Sequence, residues 1–429
     1  MKAVVIGAGL AGSEAAYYLA RQGVKVTLYE MKPKRFSPAH ESENFCELVC
    51  SNSLKSDDVY GNASGLLKEE MRRMGSLTLE AADRCRVPAG GALAVDRDAF
   101  SSYVTKKLRA EENIAVVTEE VAALPEEGIV ATGPLTDGKL YAAIEERFGR
   151  GLHFYDASAP IVSRESVDFS KTFTADRYGK GDGDYINCPM NKEEYETFVQ
   201  ELVAAEKATM HSFEKGEIFE GCMPVEVMAS RGKDTLRFGT FKPVGLFDGN
   251  GERPYAVLQL RKENGEGSSL GLVGCQTNLK FSEQKRVFSL IPALKAAQFE
   301  RYGVMHRNTF LESPEILNAD FSVKSVPMLF FAGQMTGVEG YMESAMSGLL
   351  AAVHYLRKLK NLPPVTLGDT CVSGALSQYV ATQNKNFQPM NANYGILRQV
   401  EVRDKKERKR IYAERALEEI GRFVSAIGG

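Results

Sequence analysis

Six residues into the chain a short apolar run, Lys2 to Ile6, breaks into glycine, and the glycines fall as GxGxxG: Gly7, Ala8, Gly9, Leu10, Ala11, Gly12. Each glycine answers a different steric demand of a strand–turn–helix unit. Gly7 permits the tight turn out of the strand, Gly9 lets backbone approach a pyrophosphate, and Gly12 lets the helix lie close on the sheet. The pyrophosphate then sits at the helix N-terminus, where unpaired N–H groups and the helix dipole favour an anion. Ser13 to Gln22 continue with helical periodicity, and Val24 to Tyr29 read as a second strand. Glu30 ends that strand, where the acidic ligand of a ribose belongs. The spacing predicts a doubly wound α/β domain that holds a dinucleotide.

The rest of the chain divides by texture. A helix is expected over about Gly61 to Gly75, and a paired glycine turn followed by a helix over Gly90 to Arg109. Ile114 to Val117 and Gly128 to Thr132 read as two more strands. From about Asp156 to Ala297 glycine and charged residues interleave with short β-prone runs such as Arg237 to Phe241 and Ala256 to Gln259. This is the texture of an inserted, mixed α/β domain. Met328 to Ala332 is another apolar strand; a glycine-rich turn and a small-residue helix, Glu343 to Leu359, follow. Arg398 to Phe423 reads as one charged helix or a pair. With 429 residues, two or three domains are expected. The boundaries drawn are 1–160 for the first part of the dinucleotide domain, 161–299 for the insert, and 300–429 for the return part with C-terminal helices.

A net charge of −3 excludes a generic polyanion binder, so any nucleic-acid partner needs local basic patches. Seven cysteines imply no disulfide scaffold, and reduced thiols in a cytoplasmic protein are the expectation. Neither a CxxC pair nor an HxxxH is present, so no metal site is expected. No apolar run approaches the ~20 residues of a membrane span.

Two segments favour FAD over NAD as the dinucleotide. One is Ala131-Thr132-Gly133, after a strand. The other is residues 329–352, where a strand runs into Ala332-Gly333 and a small-residue helix. The latter resembles the second flavin-contacting segment of glutathione-reductase-type flavoproteins, and so implies that Gly333, Gln334, Gly337, Gly340, Tyr341 and Ser344 face the ribityl chain and ring. Those families usually carry Asp where this chain has Gln334. A narrower match rests on Glu47 to Leu54 (ELVCSNSL), Glu220 to Glu226 (EGCMPVE) and Ala332 to Ser344 (AGQMTGVEGYMES), with Asp234 to Gly239, Lys242 to Leu246 and Tyr302 to Phe310. Together these resemble the methylenetetrahydrofolate–tRNA uracil-5-methyltransferases, related to the larger tRNA wobble-uridine flavoproteins, from residue 1 to beyond 350. The resemblance implies FAD reduced by NADH or NADPH. It also implies 5,10-methylenetetrahydrofolate as one-carbon donor and C5 of the T-loop uridine of tRNA as acceptor.

Uracil C5 is a poor nucleophile until a thiolate adds to C6, which calls for an activated cysteine. Cys50 and Cys222 lie in the matching motifs. The assignment favoured here is Cys222 as the nucleophile and Cys50 as an acid/base or alternate nucleophile near the flavin. Ser51, Asn52 and Ser53 are expected to cap a helix whose dipole favours the thiolate. Glu226 and Lys55 are candidates for proton traffic. Cys85, Cys188, Cys275 and Cys371 read as small buried hydrophobes. The Cys46–Cys50 spacing leaves a second function open, a pyridine-nucleotide-dependent disulfide or small-molecule flavin oxidoreductase; a third is a tRNA-binding module with structural FAD. For the folate, the matching motif supplies His306, Arg307 and Asn308, with His306 expected to stack on the pterin. The run 272–277 lacks the aromatic that the family usually has before Gln276. RNA contact is expected from Arg231, Lys233, Arg237 and Lys242, or from the C-terminal run Lys405, Lys406, Arg408, Lys409 and Arg410, which nearby glutamates dilute.

Overall fold

The computed structural model describes every residue except 150, 180–182, 209–216, 219–222, 386 and 429; at 154, 217, 218 and 307 it describes the backbone alone. Lys2–Ile6 is one of the two central strands of a six-stranded sheet. Its neighbours, from one edge to the other, are Ser322–Val323, Val326–Phe331, Gly128–Val130, Lys2–Ile6, Lys25–Glu30 and Ile114–Thr118. All pairings are parallel except that of the edge strand Ser322–Val323. A parallel sheet is covered on both faces, and Leu329, Phe330 and Phe331 are accordingly fully buried. The helices Leu10–Arg21 and Tyr341–Leu359 cover one face, crossing so closely that a Cβ on Gly348 would lie 2.0 Å from the carbonyl oxygen of Ala11.

Between the early strands and the return strand the chain builds a second body. Six largely antiparallel strands run in the order Phe173–Thr174, Ile186–Met190, Ala256–Lys262, Ser269–Leu272, Ile161–Ser163, Phe299–Arg301. The helices Lys192–Ala204 and Phe281–Phe288 close over them, and Phe198 packs on both Phe241 and Phe288 at the centre of its own core. A three-stranded sheet of Glu217–Ile218, Leu152–Ala157 and Met305–Phe310 stands where the chain leaves and re-enters the dinucleotide domain.

Three local expectations differ from what is found. Ser51 to Ser53 lead into a strand, Ser53–Ser56, and not a helix; this strand pairs with Ala92–Val95, itself a strand that the paired glycines at 90 and 91 had masked. Arg237 to Phe241 is not β structure: Thr235–Phe238 is a helical turn that buries Leu236 and leaves Phe238 82% exposed. The charged C-terminus, expected as one helix or a pair, is one helix, Lys405–Ile427.

Candidate functional site

The turn after the first strand takes the shape its glycines allow. Gly7 has φ +96°, and a Cβ there would meet the Ala131 carbonyl oxygen at 2.5 Å. Gly12 is tighter still, with the Gly7 carbonyl oxygen 1.8 Å from where its Cβ would be. A Cβ on Gly9 would meet nothing within 4 Å, because Gly9 borders a cleft. That cleft spans about 1280 Å³, part of it open to solvent, and is lined by Gly7, Ala8, Gly9, Leu10, Ala11, Glu30, Gly133, Gly333, Gln334, Tyr341 and Ser344. The N-termini of both crossing helices open onto it. Gly12, Gly337 and Gly340 do not line the cleft; they shape it from behind. Gly337 and Gly340 both take positive φ, +83° and +121°, with Phe387 and Glu343 pressed against the positions of their missing side chains.

Glu30 is buried at the end of its strand, and its carboxylate accepts from the backbone N–H groups of Ala8 (2.8 Å) and Lys32 (3.0 Å). Each carboxylate oxygen has room for a second donor, so a ribose diol is still accommodated. Sequence reasoning passed over Lys32, His40 and Glu47, which also line the cleft. Lys32 ion-pairs with Glu47 at 3.5 Å in a buried setting. His40 shares a hydrogen bond with the Ser37 hydroxyl at 2.6 Å, and burial, then the nearby Lys32, pushes its imidazole below its usual range. A lysine and a histidine in the irregular stretch after Glu30 carried no periodic signal. Only their proximity to the fingerprint pointed to them.

Cys50 stands at the far side of Tyr341. The tyrosine hydroxyl accepts from the Cys50 backbone N–H at 2.9 Å and lies 3.1 Å from its Sγ. Burial, and after it the Asp156 carboxylate, push the Cys50 thiol up to about 12. No helix dipole counters this, since a strand follows. Cys46 is buried, lines the cleft and is likewise pushed up to about 12 by burial. Both are free thiols. Cys222, the expected nucleophile, lies outside the described residues. Cys188, Cys275 and Cys371 are buried and Cys85 is half-buried.

A second, smaller cavity of about 510 Å³ begins at Cys50. It lies between the dinucleotide domain, which contributes Ser51 and Arg97, and the inserted sheet, which contributes Arg261, Glu263 and Gly271. Gln276 also faces it.

His306 lies on Met305–Phe310, opposite Asp156 on the neighbouring strand. Burial, then the charges of Arg301 and His40, push its imidazole down to about 4, so it is neutral at physiological pH. Asn308 is buried on the same strand, and the Arg307 side chain lies outside the described residues. Glu226 is buried as well, its carboxylate held by the Thr277 hydroxyl (2.9 Å) and the Asn278 N–H (2.8 Å), which is a structural tie. Lys55 pairs with Glu343 at 3.1 Å.

Of the expected RNA contacts, Arg237 is held by Asp234 and the Tyr255 carbonyl and lies over the Tyr255 ring at 3.6 Å. Arg231 and Lys233 are exposed and Lys242 is half-buried on the same part of the insert. In the C-terminal run Arg410 pairs with Glu407 and Glu414, and Lys409 donates to the Gly61 carbonyl. Among the described residues no cluster of metal ligands occurs, and no helix is long and apolar enough to cross a membrane.

Comparison with known proteins adds three findings. The family described as Glucose inhibited division protein A matches residues 2–363. The chain is 56% identical over 428 residues to the methylenetetrahydrofolate–tRNA-(uracil-5-)-methyltransferase TrmFO of Acetivibrio thermocellus, covering 98% of each chain. It is 55% identical over 431 residues to the protein of the same name from Desulfitobacterium hafniense, covering 99% of this chain and 98% of that one. Among solved structures, Aquifex aeolicus GidA in its form II crystal superposes with a TM-score of 0.73 at 17% identity, over 100% of this chain and 73% of that one, a likeness of fold.

Proposed function

This chain belongs to the glucose inhibited division protein A family, and from that premise we propose that it is an FAD-dependent methyltransferase that uses methylenetetrahydrofolate to methylate C5 of uridine in tRNA. The cleft residues fit FAD. Gly9 leaves open the space that a pyrophosphate needs, two helix N-termini face it, and Glu30, at the end of its strand, lines the same cleft. FAD bound there would, once reduced, supply the electron pair that takes the transferred methylene group to methyl. The finer reading is that NADH or NADPH provides those electrons and that the acceptor is the T-loop uridine.

On the uracil, the Cys222 thiolate adds to C6 and C5 bonds to the methylene carbon as one carbon–nitrogen bond to the folate breaks; the C5 proton then leaves to a base as the second carbon–nitrogen bond breaks and releases tetrahydrofolate, and a hydride reaching the exocyclic methylene expels the cysteine sulfur from C6. Cys50 stays protonated at neutral pH and is hydrogen-bonded to Tyr341, which suits a proton-handling group better than a standing nucleophile. The neutral His306 ring suits stacking on the pterin better than pairing with a carboxylate. The observation that carries this reading is the contact of Cys50 with Tyr341, a residue of the cofactor cleft, at the mouth of a second cavity. The disulfide-reductase alternative loses support, because thiol exchange needs a thiolate and both Cys46 and Cys50 are pushed far from that form.

The test is incubation of the flavin-loaded enzyme with tRNA, methylene-labelled methylenetetrahydrofolate and NADH. Label is expected in the 5-methyl group of one T-loop uridine, and Cys222→Ala is expected to abolish it. Oxidation of NADH with no label in the tRNA would overturn the reading.

A further inference from the structure

The cavity beside Cys50 contains a charged triplet that the reaction as described leaves unused. Arg97 opens the helix Arg97–Ala110, Arg261 lies in the strand Ala256–Lys262, and Glu263 follows that strand. The Glu263 carboxylate accepts from Nε of Arg97 at 2.8 Å and stands 3.9 Å from Nη2 of Arg261. Both guanidiniums are aimed by further bonds. Arg261 donates to Asn52 Oδ1 at 2.8 Å and Ser51 Oγ at 3.0 Å, and Arg97 donates to the Leu48 carbonyl at 2.7 Å. A Cβ on Gly271 would come 2.1 Å from Glu263 Oε1, so the wall is cut to admit the carboxylate. Arg261 and Glu263 are buried and Arg97 is nearly so.

Two guanidiniums against one carboxylate enclose a net positive charge in a cavity. A buried guanidinium N–H left without an acceptor is costly, so the cavity favours an occupant that offers acceptors. Each guanidinium has five N–H donors, and the contacts among the described residues leave several unused. The triplet therefore presents donor, acceptor, donor. The Watson–Crick edge of uracil presents the complement: O2 accepts, N3–H donates, O4 accepts. The geometry points to this cavity as the seat of the flipped uracil, with Glu263 accepting N3–H and the guanidiniums of Arg97 and Arg261 donating to the two carbonyls. Cytosine is rejected there, because its N3 lone pair meets the carboxylate. A guanidinium at a uracil carbonyl also stabilises the negative charge that builds on oxygen when a thiolate adds to C6. The inference rests on the methyltransferase reading and adds to it the pocket that selects the base.

The experiment compares tRNA carrying uridine or 3-methyluridine at the target position, with the wild-type enzyme and Glu263→Ala. Wild type is expected to methylate uridine and to discriminate against 3-methyluridine by roughly 10²-fold or more in kcat/KM. Glu263→Ala removes the acceptor and opens room for the N3 methyl group, so the uridine rate falls and the ratio of the two substrates collapses towards one. If Glu263 only staples the insert to the dinucleotide domain, both rates fall in proportion and the ratio holds, which overturns the assignment. Wild-type acceptance of 3-methyluridine within threefold of uridine overturns it too. A wild-type enzyme that labels no uridine at all refutes instead the methyltransferase reading beneath it. Should Glu263→Ala not fold, Glu263→Gln serves, since its amide offers either partner to N3. Inhibition by cytidine-substituted tRNA should then strengthen about tenfold relative to wild type, and an unchanged inhibition constant overturns the proposal.

Discussion

Gly9 and Gly12 are three positions apart and fail for opposite reasons when given a methyl group. At Gly12 the new Cβ runs into the Gly7 carbonyl 1.8 Å away, so Gly12→Ala should cost about 1–3 kcal/mol or more of stability, read as a lowered Tm of the apoprotein. At Gly9 the methyl group meets no protein atom. Gly9→Ala should fold with an unchanged apoprotein Tm yet bind FAD at least about tenfold more weakly, because the space it fills is the one that the pyrophosphate needs. A matching loss of apoprotein stability at both positions would refute this division. The thiol of Cys50 yields a separate prediction. With its pKa pushed up to about 12, the thiolate fraction grows about tenfold per pH unit from pH 7 to 10. Alkylation of Cys50 by iodoacetamide, followed by peptide mass spectrometry, should climb across that range without a plateau; a plateau near pH 8 would show an activated thiol. Much at this scale was legible in advance, because the roles of Gly7, Gly9, Gly12 and Glu30 follow from sterics at fixed spacing. Arg97, Arg261 and Glu263 were not. They are ordinary charged residues, and Arg97 stands far from the other two in sequence. The available signal was a charge, Arg261, inside the strand Ala256–Lys262, whose residues before it are buried and, but for Gln259, apolar.

Elements were legible where one periodicity ruled and obscure where a short segment had to choose. The parallel strands and their helices follow from the alternation of apolar runs with glycine turns. Ala92–Val95 did not, since four residues beside two glycines carry too little pattern to outweigh a turn. Ser51 to Ser53 have the chemistry of a helix cap, but Ser53 opens a strand that pairs with Ala92–Val95, and the Asn52 carbonyl accepts from the Val95 N–H. The crossing of Leu10–Arg21 with Tyr341–Leu359 makes a prediction at this scale. Gly348→Ala places a Cβ 2.0 Å from backbone, so the helices must part. The expected cost is about 2 kcal/mol, with loss of bound flavin, because the N-termini of both helices open onto the cofactor cleft. Calorimetry and flavin absorbance on the purified variant check it; a variant with wild-type Tm and full flavin would contradict it.

Across the whole molecule, charge is sorted unevenly. In the C-terminal helix Arg410 is held by Glu407 and Glu414 and Lys409 by the Gly61 carbonyl, whereas Lys233 is exposed on the insert. Replacing Lys233 should flatten the dependence of log Kobs for tRNA on log salt by about 0.7–0.9, the slope of one lost phosphate contact. Replacing Arg410, whose charge Glu407 and Glu414 already take up, should leave the slope unchanged, and filter binding across a salt series distinguishes the two faces. The interruption of the first domain by the insert has a further consequence, one of timing. The nucleotide pocket needs Gly333, Tyr341 and Ser344, which leave the ribosome only after the antiparallel body, residues 161–301, has been made. That body has its own core and can mature first, while the nascent amino-terminal half waits as an open, half-walled sheet. Cofactor loading is thereby pushed to the last stage of biogenesis, and any truncated translation product that stops short of residue 326 leaves the ribosome colourless.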